Sequence, residues 1–437
     1  MPTISPQLLD DLPAQDDLIL WPGLRSLAAQ LAEILPRLPQ TSPILISGDW
    51  GSGKTTLLHA VRRHLGEAPT VWFDAWRHEG GGPLLPALMR KVWEATPQAL
   101  QEDEKAKVTF RTVFNAAVSI GLRVAPALIG AGVTGGLLPA AVGVVGEAAK
   151  GINLGGVGMD QMTLGKATTL EVPPDPTSLL WSQFAVLVRT AWPGQSPVIF
   201  IDDLDRCSPA GAVTLLDDLR LLVSSGADLG LRFVVAMDRA VLVQAIAHKF
   251  EGISGYDGNR YLEKVFPITF TLPAPQGRDV ARLVTSFLAP TAGVAMNTDH
   301  QDALSAALND PTFANPRLMK RVINRFRLVV AFEGGASAAP ARSAADTATQ
   351  DRTLARWIAA TERFPQLRRL LVQHGEEYWR ELEGALATPG ARPPADAERL
   401  IQDEGALPWV RREILGGGAG RLAQYREAEA RLRRWGL

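Results

Sequence analysis

The sequence predicts an α/β fold, a parallel β-sheet covered by helices. Three observations carry that expectation. Short apolar runs recur at Ile44–Ser47, Thr70–Trp76, Val198–Ile201, Arg232–Met237 and Val265–Phe270, each reading as a buried strand. Stretches with helically spaced apolar residues alternate with them, as in a parallel sheet with crossover helices. Between the first strand and its helix lies Gly48-Asp49-Trp50-Gly51-Ser52-Gly53-Lys54-Thr55, which fits G-x-x-x-x-G-K-[ST] in the strand–loop–helix context that this pattern requires.

The physics of that loop is specific. Glycines let the backbone curl so that successive N–H groups point inward at an anion. The following helix adds the partial positive charge of its N-terminus. Lys54 is placed to reach the β- and γ-phosphates of a nucleoside triphosphate, and the Thr55 hydroxyl to bind Mg²⁺. Gly48, Asp49, Trp50, Gly51, Ser52, Gly53, Lys54, Thr55 and Thr56 are therefore the candidate nucleotide-binding residues.

At 437 residues the chain exceeds one typical domain, so two or three compact units are expected. A formal net charge of -1 argues against a protein that coats DNA through a globally basic surface. The single cysteine, Cys207, excludes an internal disulfide and suits a reducing cytoplasm. Met1-Pro2-Thr3-Ile4-Ser5 is followed by acidic residues without an apolar core, so no secretory signal is expected and the expected location is cytoplasmic.

Taken in order, Asp16 and Asp17 precede the apolar run Leu18-Ile19-Leu20, and Trp21-Pro22-Gly23 turns the chain. Apolar residues at 24, 27, 28, 31 and 35 then give a helical stripe. Leu18 and Ile19 are candidates to line an adenine pocket, with a plain core contact as the alternative. After the second strand, Arg77 to Gly82 reads as a polar turn and Leu84 to Trp93 as a helix.

Residues 100–175 break the rhythm. Gln101 to Lys107 is charged and helical, and Val124 to Gly146 carries no charge. Its length is near the ~20 residues that span a bilayer, and Gly132 and Gly136 make a G-x-x-x-G spacing. It is also rich in Ala and Gly, with Pro126 and Pro139 inside it. Membrane contact, a soluble Gly/Ala hairpin and a flexible insertion are all compatible with this stretch.

The strand Val198–Ile201 ends in Asp202-Asp203, the Walker B pattern. A carboxylate at that tip holds Mg²⁺, which is the role expected of Asp202. Asp203 is placed to polarise an attacking water as a general base. Asp238, at the tip of the fourth strand, is a candidate to sense the γ-phosphate, or simply a strand-end Asp. Beyond Pro273 the pattern is helical, with stripes at Arg278–Leu288, Thr298–Leu308 and Arg317–Val330. Asn315-Pro316-Arg317 sets up a helix start. Glu333 to Thr347 reads as low-complexity linker, and the remainder as helical and rich in Arg, Glu and Trp.

Five short blocks together resemble the KAP family of P-loop NTPases: 48–56, Phe-Asp-Ala-Trp-Arg-His (73–78), Ile-Asp-Asp-Leu-Asp-Arg-Cys (201–207), Tyr-Leu-Glu-Lys-Val-Phe (261–266) and Asn-Pro-Arg (315–317) with Lys320-Arg321. The resemblance implies an additional-strand, AAA-like P-loop NTPase sheet with a helical lid, here with an apolar Gly/Ala-rich insertion and a helical C-terminal region. The expected division is 1–99 and 176–272 for the NTPase core, 100–175 for the insertion, 273–333 for the lid, 334–350 for a linker and 351–437 for a C-terminal domain.

The family includes bacterial members linked to phage exclusion and animal members that scaffold membrane signalling. Many carry membrane-spanning helices between the Walker A and Walker B motifs. That implies inner-membrane association through 124–146, although two prolines in a single stretch depart from the pattern. By analogy with AAA-like ATPases, Arg317 would touch the γ-phosphate from the lid, and Arg260 would act as a finger on a neighbour's nucleotide.

The leading expectation is an ATP- and Mg²⁺-dependent hydrolytic switch. Its expected partners are further copies of itself or another protein, engaged through the C-terminal helices. One alternative is a membrane-anchored scaffold with a structural nucleotide. A weaker one is a nucleic-acid-dependent ATPase, motivated by Arg62-Arg63, Arg368-Arg369, Arg411-Arg412 and Arg431 to Arg434.

Overall fold

The structure is a computed structural model that describes residues 8–10, 21–40, 42–80, 83–124, 176–224, 229–251, 257–288, 296–335, 344–388, 393–397, 400, 402 and 406–437. The readings made on Leu18, Ile19 and the stretch beyond Val124 fall outside these residues. Among the described residues, no helix is long and apolar enough to cross a membrane. The described residues form two compact units: those within 28–49 and 58–272, and those within 1–27, 50–57 and 273–437.

The first unit is built on a five-stranded parallel sheet: β1 (Ile44–Ser47), β2 (Thr70–Asp74), β3 (Val198–Asp202), β4 (Arg232–Met237) and β5 (Ile268–Thr271). Their spatial order is β2-β3-β4-β1-β5. The Walker B strand β3 is thus separated from β1 by β4, the additional-strand arrangement that the resemblance implies. β1 and β3 are buried along their whole lengths, as strands covered on both faces must be. The edge strands β2 and β5 alternate between more and less buried positions.

Two strand boundaries differ from expectation. β2 stops at Asp74, because the Asp74 carboxylate accepts the N–H of Arg77 (3.2 Å) and caps a short helix, Ala75–Glu79. The residues read as strand end and turn are therefore helical through Glu79. β5 starts at Ile268, not Val265. Asp257 caps the helix Gly258–Val265, whose buried Tyr261, Leu262 and Val265 hold it to its last turn, and Pro267 then interrupts.

The helices of this part of the chain run, in order, α1 (Pro22–Ile34), α2 (Lys54–His64), α3 (Ala75–Glu79), α4 (Leu84–Glu94), α5 (Gln98–Glu102), α6 (Glu104–Val124), α7 (Pro176–Ala191), α8 (Pro209–Ser224), α9 (Arg239–Lys249) and α10 (Gly258–Val265). Phe73, Ile199, Ile201 and Val235 of the sheet pack with Leu85 and Leu88 of α4, Trp181 and Phe184 of α7, and Leu216 and Leu219 of α8. Each such side chain contributes about 1.5–3 kcal/mol when fully buried.

Among the described residues this unit buries the carboxylates of Asp202 and Asp218. Asp218 on α8 is 3% exposed, and its Oδ2 has no hydrogen-bond partner among the described residues. Burial, then the charge of Asp217, pushes its pKa up to about 7, against a smaller opposing pull from Lys249. A carboxyl whose folded pKa lies above its unfolded value stabilises fully below the unfolded pKa and loses that contribution as pH rises to the folded one. Asp218→Asn should therefore raise the melting temperature at pH 8, by up to about 4 kcal/mol of stability, and leave it nearly unchanged at pH 4. Equal shifts at both pH values would contradict this.

The second unit contains α11 (Arg278–Leu288), α12 (Thr298–Leu308), α13 (Pro316–Gly335), α14 (Ala344–Arg363), α15 (Pro365–Gln373), α16 (Glu376–Ala387), α17 (Ala406–Glu413) and α18 (Gly418–Arg434). α14 packs on α12, α13, α15 and α18. Its fully buried Trp357 donates Nε1–H to Glu429 of α18 (2.9 Å). Arg431 of α18 reaches Glu333 of α13 (2.6 Å) and Asp351 of α14 (3.0 Å). The expected linker 334–350 is helical at both described ends: α13 extends to Gly335 and α14 begins at Ala344. Ala344, Ala345 and Ala348 are strong helix formers, and a low-complexity reading overlooks that preference.

Candidate nucleotide-binding site

Parallel strands place their C-terminal ends on one edge of the sheet, where α/β folds bind ligands. Gly48 and Asp49 leave β1 at that edge, Asp202 ends β3 there with Asp203 just after it, and Asp238 follows β4. Asp202 is 4% exposed and stands opposite Asp74 in the β2–β3 register. Asp203 is half-buried and adopts φ 57°, ψ 29°, the single left-handed non-glycine residue among those described. That conformation costs an ordinary side chain about 1–2 kcal/mol, and Asp tolerates it better than most. Its Oδ1 is held by Arg206 Nε at 3.0 Å, and the Arg206 guanidinium also lies over the exposed Trp76 ring at 5.8 Å.

Asp205 and Asp238 are joined. The Asp238 N–H donates to Asp205 Oδ2 (3.1 Å), and Asp238 Oδ1 accepts from Ala240 N–H (3.0 Å) as the cap of α9. Asp238 thus holds the start of α9, whatever else it senses. Cys207 lies among the same acids. Burial, followed by the charges of Glu79, Asp74, Asp205 and Asp203, pushes its thiol up to about 12. Arg260 on α10 faces solvent beside Asp257 (3.8 Å), an orientation open to a second molecule.

In the other unit, Trp50 to Leu57 sits with the segment that starts α13. Gly51 and Gly53 take φ +81° and +100°, the left-handed values that the loop sequence anticipates. Lys54 opens α2 and is 8% exposed. Asn315 and Arg317 pack directly on the loop. Asn315 Nδ2 donates to the Trp50 carbonyl (3.0 Å), while Asn315 Oδ1 accepts from the N–H groups of Arg317 (3.0 Å) and Leu318 (3.2 Å). The Arg317 guanidinium lies over the Trp50 ring, 5.0 Å from its centroid. A Cβ at Gly51 would come within 2.7 Å of Arg317 Cβ and 2.8 Å of Asn315 Oδ1, so only glycine fits.

The loop has the features that a phosphate ligand needs. Ser52 Oγ is buried and has no hydrogen-bond partner among the described residues. Buried hydroxyls are normally bonded, and a phosphate oxygen would meet that need. The loop residues present therefore fit a phosphate-bearing ligand. Sequence reasoning gave Asn315 only a helix start and assigned no site role to Asp74 or Asp205. Strand-end position was the available signal for Asp74, and the Asn-Pro helix start for Asn315.

A loop of this form on an additional-strand parallel sheet defines a P-loop NTPase domain. The family model described as "KAP family P-loop domain" matches residues 24–332, and the chain belongs to that family. Among curated proteins the chain is similar to the "Phage T7 exclusion protein" of Escherichia coli (strain K12), at 24% identity over 270 residues. That match covers 59% of this chain and 34% of the relative, so the chain spans about a third of the relative's length. Among solved structures it is similar to the Walker-type ATPase PABY2304 of Pyrococcus abyssi, at 12% identity and a TM-score of 0.38, over 97% of this chain and 93% of that one.

Proposed function

We propose that this protein is an ATP-hydrolysing switch whose nucleotide state sets the position of the helices that begin at Asn315, and through them self-assembly or partner binding. The observation that carries the reading is the seating of Asn315 and Arg317 on the phosphate loop, where a bound triphosphate would change their surroundings directly. In this reading Lys54 binds the β- and γ-phosphates and the inward N–H groups of 48–56 cradle them. A magnesium ion held by Thr55 and Asp202 would neutralise charge on the phosphate oxygens. Asp203, fixed by Arg206, accepts a proton from the attacking water. Arg317 exchanges its place over Trp50 for the γ-phosphate, and Arg260 of one molecule serves the nucleotide of the next.

The similarity to a phage exclusion protein supports antiphage defence as the setting. The structure offers less to the nucleic-acid reading. Arg368 and Arg433 pair with Glu429, Arg412 with Asp310 and Glu413, and Arg431 with Glu333 and Asp351, so these arginines are already matched by carboxylates.

The test combines phosphate release with particle size. Wild-type protein should release phosphate from ATP in Mg²⁺ and stop when the metal is chelated. Light scattering should give different masses with ATP, with ADP and without nucleotide. Absence of phosphate release would refute the hydrolytic reading, and identical masses in all three states would refute nucleotide-controlled assembly.

A further inference from the structure

We propose that Asn315 is a positioning residue that holds the phosphate loop in its binding conformation before any nucleotide arrives, and that this same side chain starts the helix α13. The inference rests on the nucleotide-binding reading above and extends it to a residue that touches neither phosphate nor metal.

The geometry is a two-sided clasp. Asn is both donor and acceptor, and here each function has a distinct target. The Oδ1 side accepts the N–H groups of Arg317 and Leu318, two of the orphan donors at the start of α13, with Pro316 in the first helical position where its missing N–H costs nothing. The Nδ2 side donates to the Trp50 carbonyl, in the loop 265 residues earlier in the chain.

The consequence for the loop follows from peptide planarity. Fixing the Trp50 C=O fixes the orientation of the plane it shares with the Gly51 N–H. Gly51 then turns through φ +81° toward Ser52 and Gly53. The loop N–H groups are useful only if they converge, and Gly-rich loops lose much entropy in converging. A hydrogen bond to the Trp50 carbonyl meets part of that cost in the empty protein. Closeness is part of the design, because Asn315 Oδ1 and Arg317 Cβ occupy the space where any Cβ at residue 51 would stand. The Arg317 guanidinium is parked over Trp50 by the same seating. Loop order and lid helix are therefore held by one amide.

Serine separates the two halves. Asn315→Ser keeps an uncharged helix cap of nearly equal quality, but is too short to reach the Trp50 carbonyl. Asn315→Ala loses both. Backbone hydrogen exchange in the nucleotide-free protein reads the loop without depending on catalysis, and ADP titration reads binding. In Asn315→Ser, amides in 48–56 should exchange about tenfold faster, and the ADP dissociation constant should rise about tenfold, each the equivalent of one lost hydrogen bond. Exchange in 316–320 should stay at wild-type values, whereas Asn315→Ala should speed it. Wild-type exchange and wild-type ADP affinity in Asn315→Ser would overturn the proposal and reduce Asn315 to a cap. Faster loop exchange with unchanged ADP affinity would also overturn it. If wild-type protein binds no ADP, the nucleotide-binding reading itself fails, and the exchange data still decide whether the clasp orders the loop.

Discussion

Lys54→Ala is expected to weaken ATP and ADP binding by about 100-fold or more, the equivalent of one strong charge-assisted hydrogen bond, with turnover lost alongside. Lys54 is the first residue of α2 and is nearly buried, so its ammonium is held where the helix N-terminus already favours an anion. Alanine is the best helix former, so α2 should keep its first turn, and a circular dichroism melt should confirm that the variant folds. Titration calorimetry with ADP gives the affinity without hydrolysis. Binding within about threefold of wild type would remove Lys54 from the site.

Asp203→Asn should lower ATP turnover by about 100- to 10,000-fold while leaving ATP affinity nearly unchanged, so that the protein retains unhydrolysed ATP. The substitution is unusually clean at this position. Asp203 has φ 57°, and Asn is among the few residues that accept the left-handed region readily. An amide oxygen can still accept from Arg206, so the local geometry is kept while the basic carboxylate is lost. Asp203→Ala is the contrasting variant, because it adds about 1–2 kcal/mol of backbone strain to the same chemical loss. Retained nucleotide can be identified by chromatography after gel filtration. Turnover equal to wild type in Asp203→Asn would assign the water-polarising role elsewhere.

How much of this was legible beforehand differs from element to element. The strand Arg232–Met237 and the helices near 84–94, 278–288 and 298–308 follow from short-range apolar spacing, which the fold leaves intact. The failures at Trp76 and Val265 share a cause. In both places an Asp side chain captures a backbone N–H and starts a helix, Asp74 for Ala75–Glu79 and Asp257 for Gly258–Val265, and a few β-prone residues nearby do not outweigh that capture. Within the linker expected at 334–350, residues from Ala344 onward are helical, because their alanines favour the first turn of α14.

The sequence alone determined the local chemistry. It set where glycine must stand, where a lysine opens a helix and where carboxylates end a strand, because these depend on neighbours within a few residues. The positive φ values of Gly51 and Gly53 are what that pattern demands. The order of the strands, with β4 placed between β1 and β3, is the one the family resemblance implies, whereas only the tertiary structure decided the pairing of Asp205 with Asp238. It also decided that Asn315 and Arg317 would rest on Trp50 and Gly51. These are contacts between residues that are distant in the chain, and periodicity carries no record of them. They form because burial of a shared core selects one packing of helices and strands over all others, and the polar groups at their ends then meet.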